Sequence, residues 1–169
     1  MPKKLGSFIL SDKIIKKMKD KIDKNKSTKL EFGFSLSQKN NILIDRWHCV
    51  GDEGCIFPSD KCINGEKLVG GFHTHPKSNS DPSIGDLENA YREGFECIGG
   101  ALDTKITCYV RKGRFSKSKM DDILITRERL GRMFLDTYEN PEYLDKFREM
   151  KNNEKCRILK SYFRTIEIR

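Results

Sequence analysis

At 169 residues, with 36% hydrophobic and 34% charged side chains, the chain is long enough for one domain with a real core and carries a heavily charged surface. No apolar run approaches the roughly 18–20 residues of a membrane span. The start, Met1-Pro2-Lys3-Lys4-Leu5-Gly6, has no secretory apolar segment, so a cytoplasmic location is expected. The net charge of +8 is uneven: residues 1–30 hold ten basic and three acidic groups, residues 31–110 seven and twelve, and residues 111–169 sixteen and ten. Basic flanks can bind nucleic acid, but a solvated lysine-rich helix face accounts for them too and is the preferred reading.

In chain order, Phe8-Ile9-Leu10 is a short apolar run, and Ser11 or Asp12 then supplies a helix cap. Ile14, Ile15, Met18 and Ile22 make one apolar stripe, which predicts an amphipathic helix over 12–24. Leu30, Phe32, Phe34 and Leu36 alternate with Glu31, Gly33 and Ser35, as on a half-buried strand. After Lys39-Asn40-Asn41, the run Ile42-Leu43-Ile44 reads as the return strand of a hairpin. Residues 46–66 read as a long irregular connection with a short strand near Trp47–Val50. Lys67 to His73 is the next strand, 76–82 a polar loop, and Ser83 caps a helix to about Gly94 that buries Ile84, Leu87, Ala90 and Tyr91. Two more strands follow, Phe95–Leu102 and Lys105–Val110, joined through Asp103-Thr104. Beyond 117 the pattern is mainly helical, with a second start at Asn140-Pro141. Residues 158–168 fit helix or strand.

Three histidines are present, and two of them, His73 and His75, lie one residue apart at the end of a strand. Alternation puts both side chains on one face, where they can share an ion. Asp86 falls in the first turn of the helix that Ser83 caps and can supply a third ligand if that helix end abuts the strand. Two histidines and a carboxylate leave a fourth zinc position open, the catalytic arrangement. Such a site also needs a carboxylate to move the proton of the attacking water. Ser83 and Asp86 alone would be no more than a capping box. The six cysteines (Cys49, Cys55, Cys62, Cys97, Cys108 and Cys156) are expected to be buried free thiols or metal ligands in a reducing compartment. Cys49, Cys55 and Cys62 beside His48 lack the close C-x(2–4)-C pairs of a structural zinc site, so thiols are preferred there.

The run Gly71-Phe72-His73-Thr74-His75-Pro76, then Pro82-Ser83 and Asp86-Leu87, resembles the JAMM (MPN) metalloprotease motif H-x-H-P-x(6)-S-x-x-D at every signature position. The order of elements over about 7–115 is also similar to that family. The resemblance implies an α/β (α+β) fold: a mixed β-sheet flanked by helices in a cytidine-deaminase-like core over 1–116, with a mainly helical C-terminal extension over 117–169 packed on it. It implies Zn2+ held by His73, His75 and Asp86, an oxyanion-stabilising role for Ser83, and a general-base glutamate on the preceding hairpin strand. Glu31 is the one glutamate before residue 53 and so the candidate base, with Glu53 and Glu66 as fallbacks. Phe34 stands where the family usually has glycine, and Gly33 lies one position earlier. The implied activity is hydrolysis of the peptide or isopeptide bond after the C-terminal tail of a ubiquitin-like or sulfur-carrier protein. A non-catalytic scaffold of the same fold and a nucleic-acid-associated basic protein are the competing readings.

Overall fold

In the computed structural model, which describes residues 1–51 and 65–169, alternation along the strands sorts side chains into two cores, one on each face of a central sheet. Lys3–Leu5 (β1) and Phe8–Leu10 (β2) pair as a two-stranded ribbon around Gly6, and the sequence pattern had marked only its second half. Helix α1 (Asp12–Asn25) starts where Ser11 accepts the Ile14 N–H and buries Ile14, Ile15, Met18 and Ile22. The sheet is formed by β3 (Glu31–Lys39), β4 (Ile42–Gly51), β5 (Lys67–His75), β6 (Phe95–Gly100), β7 (Ile106–Arg111) and β8 (Phe163–Ile168), in the order β4-β3-β5-β6-β7-β8.

Among the described strands only β5 and β6 are parallel, joined by helix α2 (Ile84–Glu93), and the other neighbouring pairs are antiparallel. The sheet is therefore mixed, as the resemblance implied. The C-terminal segment contributes α3 (Lys117–Glu139), a single 3-10 turn at Pro141–Tyr143, and α4 (Leu144–Tyr162) before β8 pairs with β7. Ribbon and α1 cover one face with Leu5, Leu10, Met18, Phe34, Leu36, Phe72 and Phe95. Helices α2, α3 and α4 cover the other through Leu87, Tyr91, Ile98, Ile123, Leu130 and Ile158.

Three sequence expectations need correction. The return strand of the hairpin does not stop at Ile44; β4 runs to Gly51, with a register shift opposite Gly33–Ser35 where Trp47 takes a φ of 48°. A bulge breaks the alternation, which is why the return strand and the short strand expected near Trp47–Val50 read as separate pieces of what is one strand. Residues 158–168 are neither all helix nor all strand, since α4 continues to Tyr162 and β8 follows directly. Finally, the cysteines are not all free. Cys97 and Cys108 face each other across β6 and β7 and form a buried disulfide, because the antiparallel register places them directly opposite. Cys49 is also disulfide-bonded, which removes it as a thiolate ligand, and Cys156 is free and exposed. Cys55, Cys62 and Glu53 lie outside the described residues. No described helix is long and apolar enough to cross a membrane.

Candidate metal centre

The hairpin that carries Glu31 turns through Asn40 and Asn41, both with positive φ (51° and 64°), between the paired Lys39 and Ile42. That is a two-residue turn whose twist suits flanking strands, and it fixes the β3–β4 register. The next pairing, β3 with β5, aligns Gly33 with His73. A Cβ on Gly33 would stand 2.5 Å from the Phe72 carbonyl oxygen and 3.2 Å from the His73 Cβ. Glycine at this position lets the two strands close up, which puts Glu31 next to the motif strand. Phe34 meanwhile points to the opposite face and is fully buried against Phe72. The link is completed by Thr74, between the two histidines, whose hydroxyl accepts the Phe32 N–H at 3.0 Å.

His73 and His75 end β5, and the chain then crosses to α2 through the 76–82 loop. That loop is pinned from below. Buried Ser80 meets Asp103 and Thr107 through its hydroxyl at 3.2 and 2.8 Å, and the Tyr109 hydroxyl donates to the Ser80 carbonyl at 2.7 Å. Gly100 makes room for it, since a Cβ there would come 2.6 Å from the Ser80 nitrogen. At the start of α2, Ser83 Oγ accepts the Asp86 N–H at 3.0 Å while Asp86 Oδ2 accepts the Ser83 N–H at 2.8 Å, a closed capping box. The cap sets the orientation of the Asp86 carboxylate. It also sits at the carboxyl end of a parallel strand, the place where α/β sheets present ligand-binding groups.

These elements bring His73, His75 and Asp86 together. Their ligand atoms all lie within 4.8 Å of one another. The two Nε2 atoms are 3.0 Å apart, and each is 3.3 Å from an Asp86 oxygen. Burial alone would push His73 towards a neutral ring, but Asp86 and Glu96 overcome this and hold its proton affinity well above the ordinary histidine range. Burial likewise opposes ionisation of Asp86, and hydrogen bonds from His73 and His75 reverse it and keep the carboxyl far below its usual range. Two ring nitrogens and a carboxylate around one point thus compete for a positive charge. Two imidazoles and one carboxylate with these convergent atoms suit a divalent ion, and the donor set matches zinc sites that keep an open position.

Glu31 is half-buried. Burial raises its pKa, and the histidines His73 and His75 oppose the rise. Of the fallback bases, Glu66 is committed elsewhere: Arg46 donates to its two carboxylate oxygens at 3.0 and 2.6 Å, which holds it below the usual range. Sequence reasoning missed one participant. Glu96 of β6 is buried, and its Oε1 lies 2.7 Å from the Nδ1 of His73. The signal that could have found it was a glutamate alone within the apolar run Phe95-Glu96-Cys97-Ile98.

No family model and no curated protein matches the chain. Among solved structures it is similar to a JAB1/MPN domain protein from Archaeoglobus fulgidus, with 24% identity, 59% of this chain and 87% of that chain covered, and a TM-score of 0.39.

Proposed function

We propose that the protein is a zinc-dependent peptidase or isopeptidase of the JAMM type, which hydrolyses the bond after the C-terminal tail of a ubiquitin-like or sulfur-carrier protein. The observation that carries this reading is the convergence of His73, His75 and Asp86 from a strand end and a capped helix start. A zinc ion on those three side chains would polarise the scissile carbonyl and bring the pKa of a water towards roughly 7. Glu31 then takes the proton of the attacking water and hands it to the leaving amine. Its burial raises its proton affinity, which suits a base that must also give the proton back. Ser83 uses its oxygen to accept the Asp86 N–H, so its own O–H is left to donate to the developing oxyanion.

Two measurements test this together. Metal analysis of the purified protein is expected to find about one zinc per chain, lost on His75→Ala; the same analysis distinguishes iron(II), which also takes two histidines and a carboxylate. Linear and isopeptide-linked ubiquitin-like fusions should be cleaved after the tail, and a chelator should stop the reaction. A wild type that holds zinc and cleaves none of them would make this a binding module of the same fold.

A further inference from the structure

We propose that Glu96 is a positioning residue: it accepts the Nδ1 proton of His73 and so turns the Nε2 lone pair towards His75 and Asp86, with Gly71 leaving the space it needs. A neutral imidazole carries one proton on either of two nitrogens, and the partner of one nitrogen decides what the other can do. In His73 the Nε2 faces His75 and Asp86 at 3.0 and 3.3 Å, while the Nδ1 faces Glu96 Oε1 at 2.7 Å. With Glu96 as the acceptor, this 2.7 Å contact is a hydrogen bond that His73 donates from Nδ1. Among the described residues no carboxylate pairs with the Nδ1 of His75, which is the more exposed of the two rings. The deeper ring is thus the one with a fixed partner.

Packing alone does not explain a glutamate at this position. Phe95, Cys97 and Ile98 around it are fully buried apolar residues, and an apolar side chain at 96 would avoid the cost of burying a carboxylate. The neighbouring strand is also shaped to it. Gly71 pairs with Glu96 in the parallel β5–β6 register, and a Cβ on Gly71 would approach Glu96 Oε2 to 2.8 Å. A side chain there would press on the carboxylate that meets His73 and force it to shift. Outer carboxylates of this kind fix ligand orientation and typically change metal affinity by about 10–100-fold when removed.

The inference rests on the metal-site reading above, and its test separates the two. Zinc affinity is measured by chelator competition for wild type, Glu96→Gln, Glu96→Leu and Gly71→Ala, alongside NMR of the protein with 15N-labelled histidine. Glu96→Leu should weaken zinc binding about 100-fold and Glu96→Gln about 10-fold, since an amide oxygen still accepts the proton, with Gly71→Ala also weakened. The zinc-loaded wild type should show an exchange-protected Nδ1–H on His73 that Glu96→Leu loses, while the melting temperature of the metal-free variants stays near that of wild type. Wild-type affinity in Glu96→Leu, or weakened affinity with the Nδ1–H retained, overturns the inference. Should Glu96→Leu not fold, Glu96→Gln and Gly71→Ala report on the same bond. If wild type takes up no zinc, the metal reading fails. The ring is then read in metal-free protein at alkaline pH, where an Nδ1–H tautomer upholds the role of Glu96 and an Nε2–H tautomer overturns it.

Discussion

The two faces of the sheet are built from alternate residues of the same strands, yet they have little in common. Towards α1, strands β3, β5, β6 and β7 present Phe34, Leu36, Phe72, Phe95 and Val110, every one buried and apolar. Towards α2 the intervening positions mix apolar residues, Ile98 and Tyr109, with Gly33, His73, Glu96 and Thr107. Both faces are packed, but only the second also holds the polar cluster of the candidate site. Because strand side chains alternate with period two, a slip of one residue would exchange them. The tight packing of Phe34 and Phe72 therefore fixes which way the histidines point. The two helix starts give the same contrast on a smaller scale. Ser11 and Ser83 both accept the N–H three residues on, at 3.3 and 3.0 Å. At α1 that third residue is the buried Ile14, and at α2 it is Asp86, so the same cap orients a carboxylate of the candidate site.

The contrast can be broken from either side. The largest effect is expected from Glu31→Gln, which should cut hydrolysis by about 10²–10⁴-fold with zinc content unchanged. Its melting temperature should hold or rise at neutral pH, because the ionised form of a carboxyl with a raised folded pKa is disfavoured by folding. Unchanged turnover would place the base elsewhere. On the opposite face, Phe72→Ala should lose about 3–5 kcal/mol of stability in denaturant unfolding, while the protein that remains folded keeps its zinc. Loss of zinc from folded protein would mean that the faces are not separable. Next come the two caps: Ser11→Ala and Ser83→Ala should each cost about 1 kcal/mol, but only Ser83→Ala should also lower turnover, by about 10²–10³-fold. Equal turnover in both would remove Ser83 from the chemistry.

The smallest effect lies between the two outer helices, where Arg157 and Tyr162 of α4 hold Asp122 of α3. Chiefly through Arg157, the Asp122 carboxyl is kept below its usual range, against the opposing effect of burial. The folded protein therefore binds that proton less tightly than the unfolded chain does. The contribution is present above pH about 4 and is lost as pH falls through the lower folded pKa. Asp122→Asn should cost no more than about 1 kcal/mol at neutral pH, given the exposure of the pair, and should flatten the acid limb of the stability curve. A variant as acid-sensitive as wild type would show that this ion pair contributes nothing there.

Much of the candidate site was legible because its parts are local. His73 and His75 are two residues apart on one strand, and Ser83 and Asp86 are three apart at one helix start, so period and capping rules place them without a fold. Glu31 was found only because it is the single glutamate in its element. What it needs, the approach of Gly33 to His73 and the tie from Phe32 to Thr74, joins residues some forty apart.

The amino-acid order by itself determined the α1 stripe, the hairpin turn, the capped start of α2 and the shared face of His73 and His75, since each lies within a single element or turn. Tertiary structure alone decided that β4 continues past Trp47, that Phe163–Ile168 is a strand, that Cys97 meets Cys108 and that Glu96 meets His73. All four are contacts across the sheet. They depend on which strand lies beside which and in what register, and no single segment contains that information.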